Sequence, residues 1–334
     1  MIDFRSDTVT RPTDGMKAAM MAAETGDDVY GEDPTVNALE RRAAEVTGKP
    51  AGLFVASGTQ GNLLALLTHC QRGEEYIAGQ DAHTYRFEAG GGAVLGGIQP
   101  QPVPFNARGE LDLDQVRGVI KPDNFHFAIT RLVCLENTQG GKPLALAYLD
   151  DYAALCSEFG LSRHLDGARV FNAAVKQGVE VGQICDYFDT VSFCLSKGLG
   201  CPVGSVLVGS ETFIHRARRW RKMLGGGMRQ AGVLAAAGLY ALDHNIARLA
   251  EDHELAARLG AGLTGLGMPL AEEVQTNMVM LEPSGVDMKA LGKFLSGRGI
   301  ATSGPRLVTH LDLTAADIDA MLEACADYTR GAAR

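Results

Sequence analysis

The chain has 334 residues, 46% of them hydrophobic and 21% charged, enough apolar material for one large domain with a smaller partner. Its formal charge of −9 argues against a nucleic-acid partner, because phosphate contacts need a basic face. No apolar run reaches the ~18 residues of a membrane span, and the opening Met1-Ile2-Asp3-Phe4-Arg5 lacks the apolar core of a signal peptide, so the expected location is the cytoplasm, with no membrane partner.

In chain order, the first strong strand signal is Ala51 to Val55, followed by Ser57-Gly58-Thr59-Gln60 and a helical stretch from about Asn62 to Cys70. Backbone N–H groups at a helix N-terminus attract a dianionic phosphate, and glycine lets the backbone come close, so Ser57, Gly58, Thr59 and Gln60 are read as a phosphate cradle. A short strand at Glu75 to Ile77 leads to His83, whose imidazole could stack on a flat ring and exchange protons near neutral pH. His126 sits in a loop between two phenylalanines, ahead of a strand from Arg131 to Leu135 and a helix from about Leu146 to Phe159.

Two apolar strands follow, Gly160 to Leu165 and Thr190 to Leu195, leading into Asp166 and Lys197. Open α/β sheets bind ligands at the carboxyl ends of such strands. A lysine there can bond a carbonyl carbon through its amine, and a buried aspartate can keep a pyridine nitrogen protonated, so the pair reads as a pyridoxal-phosphate site. Arg169, three residues beyond Asp166, could hydrogen-bond the ring hydroxyl oxygen or a substrate carboxylate bidentately. A further strand spans Gly204 to Gly209, and the basic run from Arg216 to Lys222 reads as a solvated helix face. Helix from Gln230 to about Leu255, strands at Gln275 to Leu281 and Arg306 to His310, and a closing helix from Ala315 to about Arg330 complete the chain. Alternating strands and helices mean a mainly parallel sheet covered by helices. The seven cysteines include no C-x-x-C pair and sit mostly among apolar neighbours, so they read as reduced core residues, and no metal site is expected.

Several segments together resemble the low-specificity L-threonine aldolases from Ile2 to about His310: Asp3 to Thr10, Gly26 to Pro34, His83, Leu135 to Thr138, Asp166 to Arg169, Ser196 to Gly200 and Gly225 to Gln230. The resemblance implies the pyridoxal-phosphate fold of the aspartate-aminotransferase type (type I). In it, residues 1–247 form a large domain on a mainly parallel seven-stranded sheet, and residues 248–334 a small C-terminal α+β domain. It implies retro-aldol cleavage of a β-hydroxy-α-amino acid, L-threonine or L-allo-threonine, to glycine and an aldehyde. Ser6 and Arg306 would then meet the substrate carboxylate. Lys222 and Arg229 would enter a neighbouring subunit's site, giving a homotetramer with sites shared between two chains. Lys197 and Asp166 would hold the cofactor, and His83, directly or through a water, would take the β-hydroxyl proton while His126 helps hold that hydroxyl. One departure stands out: members commonly read Glu-Asn-Thr-His, whereas this chain has Gln139 after Glu136-Asn137-Thr138, which removes an imidazole and points to an altered side-chain preference. A pyridoxal-phosphate β-eliminating lyase would share Lys197 and Asp166, but the opening Arg5 to Thr10 segment and His83 favour the aldolase.

Overall fold

The computed structural model describes residues 1–332. Among them, seven strands form the main sheet: β2 (Ala51–Val55), β3 (Glu74–Gly79), β4 (Gln99–Val103), β5 (Ile129–Glu136), β6 (Ser162–Asp166), β7 (Thr190–Cys194) and β8 (Ser205–Gly209), with β1 (Ile2–Asp3) outside it. Their order is β2-β8-β7-β6-β5-β3-β4. All neighbours run parallel except β8, which is antiparallel to both β2 and β7. Residues of β7 and β8 are buried throughout, as strands covered by helices on both faces must be.

The sheet departs from sequence expectation at its edge. β4 carries the sequence Gln-Pro-Gln-Pro-Val, which gives no strand signal, yet it occupies an outer position where a residue without a backbone N–H leaves no ladder bond broken. β6 starts later than expected because Gly160, at φ 64°, turns the chain out of the preceding helix Leu146–Glu158. Another element that the apolar pattern does not mark is the helix Pro34–Thr47. The Asp33 carboxylate caps it by accepting from Thr35 N and Val36 N, and Val36, Leu39 and Ala43 pack into the core.

The expected long helix after Gln230 is two helices, Gly232–His244 and Leu249–Gly265. At the break, the Asn245 side-chain amide donates to the Leu199 carbonyl at 2.7 Å, tethering the loop that carries Lys197.

Of the four apolar clusters among the described residues, the two largest organise the rest. The larger one contains Phe54, Val133, Leu165, Val191 and Phe193 from the main sheet and extends to Leu249. The smaller contains Ala256, Leu259, Val279, Leu307, Ile318 and Met321, around the antiparallel pair β9 (Met278–Met280) and β11 (Arg306–Val308) and the helix Ala315–Ala332. The amino terminus belongs with the smaller cluster. β1 pairs in parallel with β10 (Ile300–Ala301), and Phe4 is fully buried there, a contribution of about 2–3 kcal/mol for a phenylalanine side chain. The chain then crosses to the large sheet, where the Thr10 hydroxyl donates to the Lys197 carbonyl at 3.0 Å. All seven cysteines are buried and none is paired in a disulfide, and no helix among the described residues is long and apolar enough to cross a membrane.

Candidate active site

The parallel strands end on one side of the sheet, and each delivers a functional group there. β5 ends at Glu136 and β6 at Asp166, directly opposite each other in register. Lys197 follows β7 in a tight loop closed by Gly200 N donating to the Lys197 carbonyl at 2.9 Å and Cys201 N to the Leu195 carbonyl at 3.0 Å. The Lys197 ammonium has no hydrogen bond or ion pair among the described residues, and it lies close enough for its charge to act on Asp7, His83 and Glu136.

The cradle expected at Ser57 to Gln60 is the first turn of the helix Gly58–His69. The Ser57 hydroxyl caps it by accepting from Gln60 N at 3.1 Å, and the Gln60 side-chain Oε1 accepts from Ala56 N at 3.1 Å. The N–H groups of Gly58 and Thr59 precede any intrahelical acceptor and point out of the helix end. A Cβ at position 58 would lie 2.9 Å from Cys194 Sγ and 3.7 Å from Ser205 Oγ, so only glycine allows this approach. The Ser205 hydroxyl beside it is buried without a hydrogen-bond partner. Free N–H groups, an orphan hydroxyl, an unpaired lysine and an aspartate at the next strand end fit a phosphorylated pyridine aldehyde. Ser57 to Gln60 would hold the phosphate, Asp166 the ring nitrogen and Lys197 the aldehyde carbon.

His83 opens a single helical turn, His83–Arg86, and stands over this site. Its backbone N–H donates to Glu136 Oε2 at 2.7 Å and its Nδ1 lies 2.8 Å from Glu88 Oε1. Glu88 raises the proton affinity of His83 through that hydrogen bond, outweighing burial, while Asp166 adds to the effect and Lys197 opposes it. Burial, reinforced by the Asp166 charge, pushes Glu136 above the usual carboxylate range.

A cavity of about 390 Å³ opens beside these groups, lined by His83, Phe87, Glu136, Gln139, Arg169 and Arg306 among others. Clefts of about 440 and 620 Å³ elsewhere are as large, but they gather none of these side chains, so chemistry rather than size marks the site. Arg169 is anchored: its Nε and one terminal nitrogen donate to the two oxygens of Asp7 at 2.7 and 2.6 Å. Burial alone would raise the Asp7 pKa, but the Arg169 charge and hydrogen bonds, with help from Lys197 and Asn277, bring it down to about 2. Arg306, by contrast, reaches the cavity from β11 with no ion pair among the described residues.

His83, Arg169 and Arg306 therefore line the cavity, Asp166, Lys197 and the Ser57 to Gln60 turn lie beside it without lining it, and four other expected residues are also off its lining. The Ser6 hydroxyl caps the turn Asp7–Val9 by accepting from Thr8 N at 3.3 Å, and it is the neighbouring Asp7 that reaches the site. His126 lies on the loop before β5, its ring 4.1 Å from that of Phe125, which is 92% exposed, and it lines no part of the cavity. Lys222 ends the helix Glu211–Met223. Arg229 donates to Asp27 at 2.8 Å with its guanidinium 5.9 Å over the Tyr30 ring. The basic run is solvated at Arg216, Arg219 and Lys222, but Arg221 is buried and donates to the Phe54 carbonyl and Asp28, each at 2.8 Å. Asp7, Asn62, Glu88 and Glu136 are the site residues the sequence did not reveal. Of these, Asp7 and Glu136 lie in segments that carry the family resemblance, and Asn62 shows as a polar residue in the mostly apolar, buried run of its helix.

A lysine and a carboxylate on adjoining strand ends, with a turn after β2 that could cradle a phosphate, fit the class to which the chain belongs, the pyridoxal-phosphate enzymes of the type I fold. The family model described as beta-eliminating lyase matches residues 3–285. The chain is 55% identical over 317 residues to the low specificity L-threonine aldolase of Escherichia coli K12, covering 94% of this chain and 95% of that protein. It is 39% identical to that of Saccharomyces cerevisiae, covering 93% and 82%. In fold it superposes on a threonine aldolase of Leishmania major with a TM-score of 0.84 at 24% identity, over 98% of this chain and all of that one. A serine palmitoyltransferase of Sphingomonas wittichii matches in fold as well, with a TM-score of 0.78 at 20% identity over 99% and 87%. The chain belongs to the low-specificity L-threonine aldolase family.

Proposed function

We propose that this protein cleaves L-threonine, L-allo-threonine or both to glycine and acetaldehyde, with pyridoxal phosphate as cofactor. The observation that carries the reading is a cavity lined by His83 and the unpaired Arg306, with the unpaired Lys197 and the Asp166 carboxylate beside it and close enough for their charges to act on His83. Pyridoxal phosphate, when bound, supplies an aldehyde for the substrate amine and a ring that accepts electrons from the breaking bond.

The chain's own residues do the rest. Arg306 takes the substrate carboxylate, while Arg169, held rigid by Asp7, borders the same space and has one terminal nitrogen left to donate. Fixing the carboxylate sets the rotation about the bond to Cα, so that the Cα–Cβ bond can stand across the plane of the ring. His83 takes the β-hydroxyl proton as that bond breaks. Phe87 and Met278 offer an apolar wall to the departing aldehyde. Gln139, where relatives commonly carry histidine, lines the same wall and cannot titrate there.

His126, Lys222 and Arg229 complete the site from another subunit in a homotetramer that works in the cytoplasm. Support comes from their positions outside the cavity of their own chain and from the exposed Phe125 beside His126. Following acetaldehyde release from L-threonine, L-allo-threonine and the D forms tests the reaction and its selectivity together. Pyruvate and ammonia in place of glycine and acetaldehyde would establish instead the β-elimination that the matched family's description names.

A further inference from the structure

Behind the site runs a buried chain of hydrogen bonds whose direction can be worked out. The Asn62 amide nitrogen donates to Glu88 Oε1 at 2.8 Å and to Asp166 Oδ2 at 2.8 Å. Ionised carboxylates only accept, so both amide hydrogens are committed and the Asn62 oxygen must face the remaining partner, His164 Nε2 at 3.2 Å. His164 therefore carries its proton on Nε2, and its bare Nδ1 accepts from the Thr190 hydroxyl at 2.8 Å. The Thr190 oxygen in turn accepts from His69 Nε2 at 2.8 Å. Burial holds His164 and His69 far below the usual imidazole range, to about 3 and about 4, so both stay neutral and the directions persist across working pH.

This pattern reaches the cavity through Glu88, which is 7% exposed. Burial raises the Glu88 pKa, while the hydrogen bonds from His83 and Asn62 favour its ionised form, and an ionised Glu88 accepts from His83 Nδ1. We propose that Glu88, fixed by Asn62, is a positioning residue that keeps neutral His83 in its Nδ1–H form, leaving Nε2 as the bare nitrogen offered to the substrate hydroxyl. The inference rests on His83 being the base of the proposed reaction. It assigns Asn62 a double task, since the same amide that holds Glu88 also holds the aspartate facing the ring nitrogen. The charged groups facing His83 are Glu88 on its Nδ1, Glu136 on its backbone N–H, Asp166 and Lys197, with Asp81, Arg169 and Arg306 lining the same cavity. Of these, Glu88 alone bonds the ring.

The test is nitrogen–proton correlation NMR of the holoenzyme's histidine rings, with the His83 signals identified by their loss in His83→Asn. Neutral His83 should show a protonated Nδ1 and a bare Nε2. Glu88→Gln keeps an acceptor and removes the charge, so the His83 titration midpoint should fall by about one pH unit, roughly a tenfold loss of proton affinity. The acid limb of kcat/KM should move with it while pyridoxal phosphate stays bound. A proton on Nε2 in the wild-type protein, or an unchanged midpoint in Glu88→Gln, overturns the proposal. If Glu88→Gln does not fold, the wild-type tautomer decides alone. A wild-type protein that releases no acetaldehyde would refute the reaction instead, leaving the tautomer result standing on its own.

Discussion

Asp7 joins three parts of the molecule, and replacing it should expose how much the site depends on that joint. Its carboxylate lies on the amino-terminal segment, accepts two hydrogen bonds from Arg169 beyond β6 and a third from Asn277 of the smaller cluster's side at 3.3 Å. Both partners of the ion pair are nearly or wholly out of solvent, so screening is weak. The fall in pKa from 3.8 to about 2 corresponds to roughly 2 kcal/mol of folding free energy. Because folding depresses this pKa, the stabilisation is complete above the ordinary carboxylate value and drains away as pH drops towards 2. Asp7→Asn does more than forgo that amount: it leaves the Arg169 guanidinium buried with no counter-charge, a situation that costs about 3–5 kcal/mol. That is a large share of the 5–15 kcal/mol typical of a folded domain. The assay is urea unfolding at pH 7 of the wild type, Asp7→Asn, Arg169→Gln and the double variant. Asp7→Asn should lose about 3 kcal/mol or more, and the double variant should recover at least about 2 of what the two single losses would sum to, since no charge is then left unpaired. A loss under about 1 kcal/mol in Asp7→Asn, or additive single losses, would refute the reasoning.

The groups proposed to do the chemistry are legible where local sequence alone sets their position. Lys197 follows β7, whose burial its apolar residues announce, Asp166 ends the more polar β6 just before a glycine, and the Ser57 to Gln60 turn carries a cap residue and a glycine at a strand-to-helix junction. What the sequence hid depends on distant pairing. Nothing near Asp7 reveals that its partner lies 162 residues away, and Asn62, Glu88 and Asp166 become one network only when the sheet is assembled. Arg221 sits in a run that looks uniformly solvated, yet it turns inward because Asp28 and the Phe54 carbonyl await it. β4 was invisible because two prolines remove the usual strand signature, and edge position makes them tolerable. The break between the helices Gly232–His244 and Leu249–Gly265 likewise contains no proline or glycine; a tertiary contact, Asn245 on the Leu199 carbonyl, marks it.

Replacing Lys197 with Ala should abolish both turnover and the borohydride-reducible attachment of cofactor to the chain, read by mass spectrometry; an adduct retained in the variant would move the role to another lysine. Asp166→Ala should lower kcat by about a thousandfold and weaken cofactor retention, because the electron-accepting ring loses its anionic partner. Arg306→Ala should raise KM and cut kcat/KM by about 10- to 100-fold at unchanged cofactor content, the loss of one charge-assisted hydrogen-bonding partner. The final prediction concerns shared sites. In the proposed function Lys222 and Arg229 act across a subunit boundary; neither lines its own chain's cavity, and Arg229 is occupied with Asp27. Lys197→Ala chains and Lys222→Ala chains, each inactive or nearly so alone, should then complement each other. In a mixed dimer one site receives both defects, and the other receives Lys197 from one chain and Lys222 from its partner, both intact. Random reassembly of equal amounts makes half of the dimers mixed, restoring about a quarter of the sites to wild-type composition. The measurement is acetaldehyde release after unfolding and refolding the two variants together and apart. Activity no greater in the mixture than in the sum of the separate samples would mean that each chain builds its site alone.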